Sequence, residues 1–280
     1  MPPRQVVLIT GCSSGIGKAT ALEAAGRGHT VFATSREREG AHDLEGREGI
    51  RTLVLDVTDR DSIQKAVEAA IAQGGRLDAL VNNAGYGQYG AVEDVTFEQW
   101  RGQFDVNLFG AVETARAVLP AMREARRGTI VNVSSVAGKI AIPFAAPYCA
   151  SKHALEAVSD ALRLEVAPFG IRVVIIEAGP ISTQFTERAR AGVAPLLSGS
   201  GPYVAFYRGA ERAMQTDFQA GALPPEEVAR VIVGAIEADR PATRYRITRM
   251  ARALILLRRF LPDRFFDRRM KKMLRLPDRV

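Results

Sequence analysis

The chain has 280 residues, 47% hydrophobic and 25% charged, which suits one large soluble domain better than two small ones. Its net charge of +7 is uneven: residues 244–280 carry 13 Lys or Arg against three Asp, while residues 1–243 carry 25 basic and 28 acidic side chains. The near-neutral body argues against nucleic-acid binding, and no run approaches the roughly 18 apolar residues of a membrane span.

In chain order, QVVLIT (5–10), HTVFAT (29–34), RTLVLD (51–56), LDALVN (77–82), TIVNVS (129–134) and RVVIIE (172–177) predict buried strands. They are nearly continuous in Val, Ile and Leu, as strands covered on both faces are. Helix-compatible stretches lie at 15–27, 59–73, 97–125 and 149–167. Residues 180–223, with scattered Gly and Pro among Leu, Tyr and Phe, break the rhythm and are expected to form an irregular substrate loop. The pattern resumes in a helix opened by Pro224, Pro225, Glu226 and Glu227, and RYRIT (244–248) is expected as a seventh strand at the sheet edge. This alternation predicts an α/β fold: a single Rossmann-like, doubly wound domain over residues 1–249, with a mainly parallel seven-stranded sheet. Residues 250–280 read as a basic, amphipathic helical extension and not an independent domain. MPPRQVVLIT holds too short an apolar run for a signal peptide, and Cys12 and Cys149 read as reduced thiols, so a cytoplasmic protein is expected.

The first strand runs into Thr10-Gly11-Cys12-Ser13-Ser14-Gly15-Ile16-Gly17, and a helix follows. Glycines here permit a tight turn and close backbone approach to a pyrophosphate, which the free N–H groups of a helix N-terminus favour. The second strand ends Thr34-Ser35-Arg36 with no acid before Glu37, so nothing there is placed to hold an unmodified ribose 2′-OH. Arg36 suits a 2′-phosphate and the Ser14 hydroxyl adds a donor, so NADP(H) is expected in preference to NAD(H). The competing reading makes Arg36 one more solvated arginine.

Tyr148 and Lys152 stand four residues apart, one turn along one helix face. A phenol of pKa ~10 exchanges protons poorly at neutral pH, and a nearby ammonium draws that value down. Ser135 lies at the carboxyl end of a predicted strand, where ligands of open α/β sheets bind. His29, His42 and His153 show no metal pattern.

With these features in place, the sequence resembles the short-chain dehydrogenase/reductase family. The resemblance rests on TGCSSGIG (10–17), Asp56-Val57, Asn82-Asn83-Ala84-Gly85, Asn107 in DVNLFG, Ser135, Tyr148 with Lys152, and Gly179-Pro180 with Thr183. It implies that Tyr148 is the acid/base, Ser135 orients the carbonyl, and Lys152 lowers the tyrosine pKa and holds the nicotinamide ribose. Asn107 would support a water in a proton relay. Cofactor contacts would come from Gly11, Ser13, Ser14, Gly15, Ile16, Gly17, Arg36, Asp56, Val57, Asn83, Ala84, Gly85, Pro180, Ile181 and Thr183. PFAAPYCASKHALE and EAGPISTQF look like the branch of type 1 17β-hydroxysteroid and retinol dehydrogenases, which implies a lipophilic ketone, aldehyde or alcohol as substrate. Phe144, Tyr86, Tyr89, Phe185, Leu196, Leu197, Tyr203, Phe206 and Met214 are candidates to line its cleft, with ordinary core packing as the other reading. The family also implies a homodimer or homotetramer through helices near 97–125 and 149–167. Two readings stand for the basic tail: a cap over the cleft or subunit contact with solvated arginines, and peripheral contact with an anionic membrane. The rival to an oxidoreductase is a dinucleotide-binding sensor or interaction protein on the same fold.

Overall fold

The computed structural model describes residues 3–197, 201–213 and 221–276. Strands β1 (Val6–Ile9), β2 (Thr30–Ser35), β3 (Ile50–Val54), β4 (Ala79–Asn82), β5 (Gly128–Ser135), β6 (Ile171–Ala178) and β7 (Arg244–Arg246) form one sheet. Their order is β3-β2-β1-β4-β5-β6-β7, and every pairing is parallel. The mainly parallel sheet expected from sequence is therefore wholly parallel.

Strand pleating sends neighbouring residues to opposite faces, and both faces are covered. Val7 and Ile9 of β1 meet Ala21 and Ala24 of α1 (Gly15–Gly26) and Ile232 and Ile236 of α8 (Pro225–Glu237) within one core. Val6 and Leu8 face the other core, with Ile63 and Val67 of α2 (Arg60–Gly74) and Val118 and Met122 of α4 (Gly110–Glu124). Strand order reverses beside β1, where β2 pairs on one side and β4 on the other. An open sheet has its ligand crevice at such a point, beyond the strands' carboxyl ends.

Three segments differ from expectation. The single helix predicted over 97–125 is α3 (Phe97–Phe104), a π-turn at Asp105–Phe109, and α4. The wider turn accommodates Asn107, whose side chain turns inward to bond the Tyr86 backbone at both ends: Oδ1 accepts from N at 3.0 Å and Nδ2 donates to O at 2.9 Å. The predicted irregular loop contains α6 (Gln184–Leu197) and α7 (Val204–Ala213). Its scattered apolar residues are at helical spacing: Val193 and Tyr207 are buried with Ala91, and the Tyr207 hydroxyl bonds the Asp94 carboxylate and accepts from Ala91 N. At the far edge β7 is only three residues long, and Thr248 caps α9 (Arg249–Phe260) by accepting from Ala251 N at 3.0 Å.

Helix α9 and the following α10 (Asp263–Met273) lay Ala251, Leu254, Phe266 and Met270 on Val136 and Ile140, just after β5. The tail thus packs on its own chain. Among the described residues, no helix is long and apolar enough to cross a membrane.

Candidate active site

Residues 10–17 turn sharply because Gly11 (φ +72°) and Gly15 (φ +58°) adopt left-handed backbone. A Cβ on Gly17 would stand 2.3 Å from Gly11 O and 2.4 Å from Asn83 Nδ2, so only glycine fits. Asn83 works from beneath the turn: its Nδ2 donates to Thr10 O and Gly11 O, both at 2.9 Å. The Thr10 hydroxyl accepts from Asn83 N and Ala84 N at 3.0 Å. Its side chain thereby fastens the turn after β1 to the segment that follows β4. Ser14, extended at the N-terminus of α1, caps none of the first-turn N–H groups, which leaves those donors for an anion. Thr183 comes from the turn after β6 to face Gly15, where a Cβ would lie 3.1 Å from Thr183 Cγ2. A tight glycine cradle with uncapped donors fits a dinucleotide pyrophosphate.

The outer parts of the predicted cofactor set are less constrained. Arg36 is 74% exposed, with Glu37 3.2 Å away. Asp56 uses its carboxylate on the Thr58 N–H and hydroxyl at 2.9 and 2.7 Å, fixing the turn after β3. Val57 packs against Gly110, where an added Cβ would meet it at 2.7 Å. Gly85 lies beside Asn107, its Cβ position 3.1 Å from Oδ1. Pro180 O accepts from Leu223 N at 3.1 Å, and Ile181 bridges to Leu223, anchoring the start of the substrate segment.

Tyr148 is the third residue of α5 (Ala146–Val166), and Ser135 ends β5. Both are buried, as are Lys152 and Asn107. The Tyr148 ring lies between Tyr89, with centroids 6.3 Å apart, and Phe185, at 5.4 Å. Burial pushes its phenol up to about 12, against the Ser135 hydroxyl, which favours the phenolate. Lys152 Nζ donates to Val133 O at 2.8 Å and stands 5.9 Å from the Tyr148 ring centroid. Burial pulls that ammonium down to about 8, with Glu156 opposing. The influences on the phenol are burial, the Ser135 hydroxyl and Cys149, while the Lys152 ammonium is committed to a backbone carbonyl. Asn107 reaches the same cluster, with Nδ2 3.3 Å from Ser151 Oγ, which donates to Tyr148 O at 2.8 Å.

Of the apolar candidates, Tyr89 and Phe185 contact Tyr148, while Phe144 gathers Tyr203, Phe206 and Tyr207 in a second aromatic group. Leu196 and Leu197 join that group, Tyr86 serves the site through its backbone to Asn107, and Met214 lies outside the described residues. Two contributors were missed. Ser151 links Asn107 to the Tyr148 backbone, and nothing in its sequence neighbourhood marks it. Glu156, one turn beyond Lys152, is buried and paired with Lys139 at 2.8 Å and Arg244 at 3.1 Å. Its i+4 spacing from Lys152 was the available signal.

Residues 5–194 match the short chain dehydrogenase family. Over 269 residues, 93% of this chain and 94% of the relative, the sequence is 36% identical to an NADPH-dependent 3-dehydrocapnine reductase of Ornithobacterium rhinotracheale. It is 37% identical over 273 residues to human 17-beta-hydroxysteroid dehydrogenase type 1, covering 93% of this chain and 82% of that one. Among solved structures, a short-chain dehydrogenase from Streptomyces avermitilis superposes with a TM-score of 0.79 at 34% identity, covering 91% of this chain and 92% of that one.

Proposed function

The chain belongs to the short-chain dehydrogenase family, oxidoreductases of carbonyl and alcohol groups, and from that premise we propose that it reduces a lipophilic ketone or aldehyde with NADP(H). The observation that carries this reading is the buried group of Ser135, Tyr148, Lys152 and Asn107 at the carboxyl end of β5. NADP(H), when bound, supplies a hydride to the carbonyl carbon. Residues 11–17 would hold its pyrophosphate and Arg36 its 2′-phosphate, as the NADPH-dependent relative supports.

Ser135 orients the carbonyl oxygen beside Tyr148. At neutral pH burial keeps the phenol protonated, the form a reductase needs, and its proton passes to the oxygen as negative charge develops there. Lys152, with its own value near 8, still carries a proton and stabilises the phenolate left behind. Asn107 positions a water that returns a proton to the site. Alcohol oxidation follows the reverse course. Tyr89 and Phe185 form an apolar wall against Tyr148, and the relative named for a steroid supports a lipophilic substrate.

Tyr148→Phe is expected to lower turnover at least about 100-fold while NADPH affinity changes little. Turnover of a panel of steroid, retinoid, aryl and long-chain carbonyls, with NADPH titration by fluorescence, checks it; retained activity refutes the assignment. Tight NADPH binding with silence across the panel would favour the sensor reading. Arg36→Asp is expected to shift preference toward NADH, and an unchanged cofactor ratio removes Arg36 from the site.

A further inference from the structure

The tail has two faces, and packing on the body uses only one. Its inner seam, Leu254, Phe266 and Met270, is buried on Val136 and Ile140. On the outer side of α9, Leu256 and Phe260 lie one turn apart and are 56% and 72% exposed. On α10, Phe265 is 56% exposed. Each exposed phenylalanine has a guanidinium over its ring: Arg259 at 5.9 Å from the Phe260 centroid and Arg268 at 5.4 Å from that of Phe265. Among the described residues, no ion pair engages Arg249, Arg259, Arg264, Arg268, Lys271 or Lys272. Solvent is a poor environment for this combination, because large apolar groups gain nothing from water and unpaired cations of one sign repel one another.

We propose that the outer face of α9–α10 docks on an anionic lipid surface, with Leu256, Phe260 and Phe265 entering the headgroup boundary and the surrounding Arg and Lys meeting lipid phosphates. Charge complementarity selects this occupant. A second copy of the same face would set cation against cation, whereas an anionic bilayer supplies a counter-charge to the arginines and an apolar phase to the aromatic rings. The opposite seam sits on the residues just after Ser135, so docking would turn the Ser135 side of the molecule toward the membrane. A lipophilic substrate would then reach the site from the bilayer. The docking surface stands apart from the proposed reaction, since none of its residues belongs to the cofactor or carbonyl site.

The test is flotation of the intact protein with vesicles of phosphatidylcholine alone or mixed with phosphatidylglycerol, at low and high salt. Binding is expected only to the mixed vesicles and is expected to weaken with salt. Phe260→Ser with Phe265→Ser, and separately Arg259→Glu with Arg268→Glu, should each reduce binding at least about tenfold. Turnover of a water-soluble ketone should stay unchanged in both. No flotation of the wild type, or flotation indifferent to lipid charge and to both variants, overturns the proposal. So does a fall in oligomer mass in the variants with no loss of lipid binding, which would assign the face to a second copy. Preferential binding of duplex DNA that displaces vesicles would assign it to nucleic acid. Failure of turnover in every protein, with flotation intact, would count against the proposed reaction and leave the docking surface standing.

Discussion

At the scale of single residues, Tyr148 and Lys152 are shifted by the same burial in opposite directions, and the signs have a measurable result. Lys152 falls from 10.5 to about 8 in the folded chain, so between those values the unfolded chain binds the extra proton. Folding stability therefore rises with pH across that window. Tyr148 rises from 10.0 to about 12, so above pH 10 the folded chain keeps a proton the unfolded chain loses, and stability declines there. Urea denaturation of the cofactor-free protein should show an upward contribution from pH 8 to 10 that Lys152→Met removes, set against the decline that the buried Cys12 and Cys149 thiols, raised from 9.0 to about 12 and about 11, add above pH 9. An identical slope in that variant would mean the ammonium is not desolvated. The Tyr148–Lys152 pair was legible because Ser135, Asn107 and the glycine turn accompany it, whereas Glu156, at the same i+4 spacing from Lys152, had only that common spacing to mark it. An acid on an amphipathic helix ordinarily faces water, and only tertiary structure brings Lys139 and Arg244 to this one.

At the scale of elements, the strands were the most readable part, because burial on both faces imposes an unbroken apolar run. Boundaries moved by a residue or two, as when HTVFAT became Thr30–Ser35. The π-turn around Asn107 was unreadable, since one extra residue in a turn leaves no compositional mark. Helices α6 and α7 were hidden for a different reason: Gly192 and Pro195 lie inside α6, so turn-forming residues masked a helical period. The glycine turn allows the sharpest element-level test. Gly17→Ala is expected to lower NADPH affinity at least about tenfold and stability by about 1–3 kcal/mol, because its methyl would overlap Gly11 O. Titration and thermal melting measure both, and wild-type values in each would mean the turn relaxes freely.

At the scale of the whole molecule, four large apolar side chains stay exposed on the helices expected to mediate assembly: Phe97 at 72%, Phe109 at 53%, Val158 at 37% and Leu164 at 69%. Together they form a reason for this chain to associate through α3–α4 and α5. Light scattering should find a dimer or tetramer at micromolar concentration, and Phe109→Glu with Leu164→Glu should yield monomer. A monomeric wild type would exclude that assembly. The doubly wound class of the sheet followed from the strand–helix alternation, but the order of its strands and the position of the tail did not. Its apolar and basic residues alternate closely enough to suit a cap, a subunit contact or a membrane face, and only tertiary packing separates an inner seam from an outer one.

The bond from Asn83 to Gly11 O joins residues 72 positions apart. The nucleotide turn, compact as its sequence is, therefore matures late. A nascent chain can pair β1 with β2 early, yet Gly11 keeps an unsupported carbonyl until β4 has emerged and inserted beside β1. Competence to hold a dinucleotide would then arrive in one step with the completed central strands, and a fragment ending before Asn83 would carry the whole glycine signature without the clamp that fixes its shape.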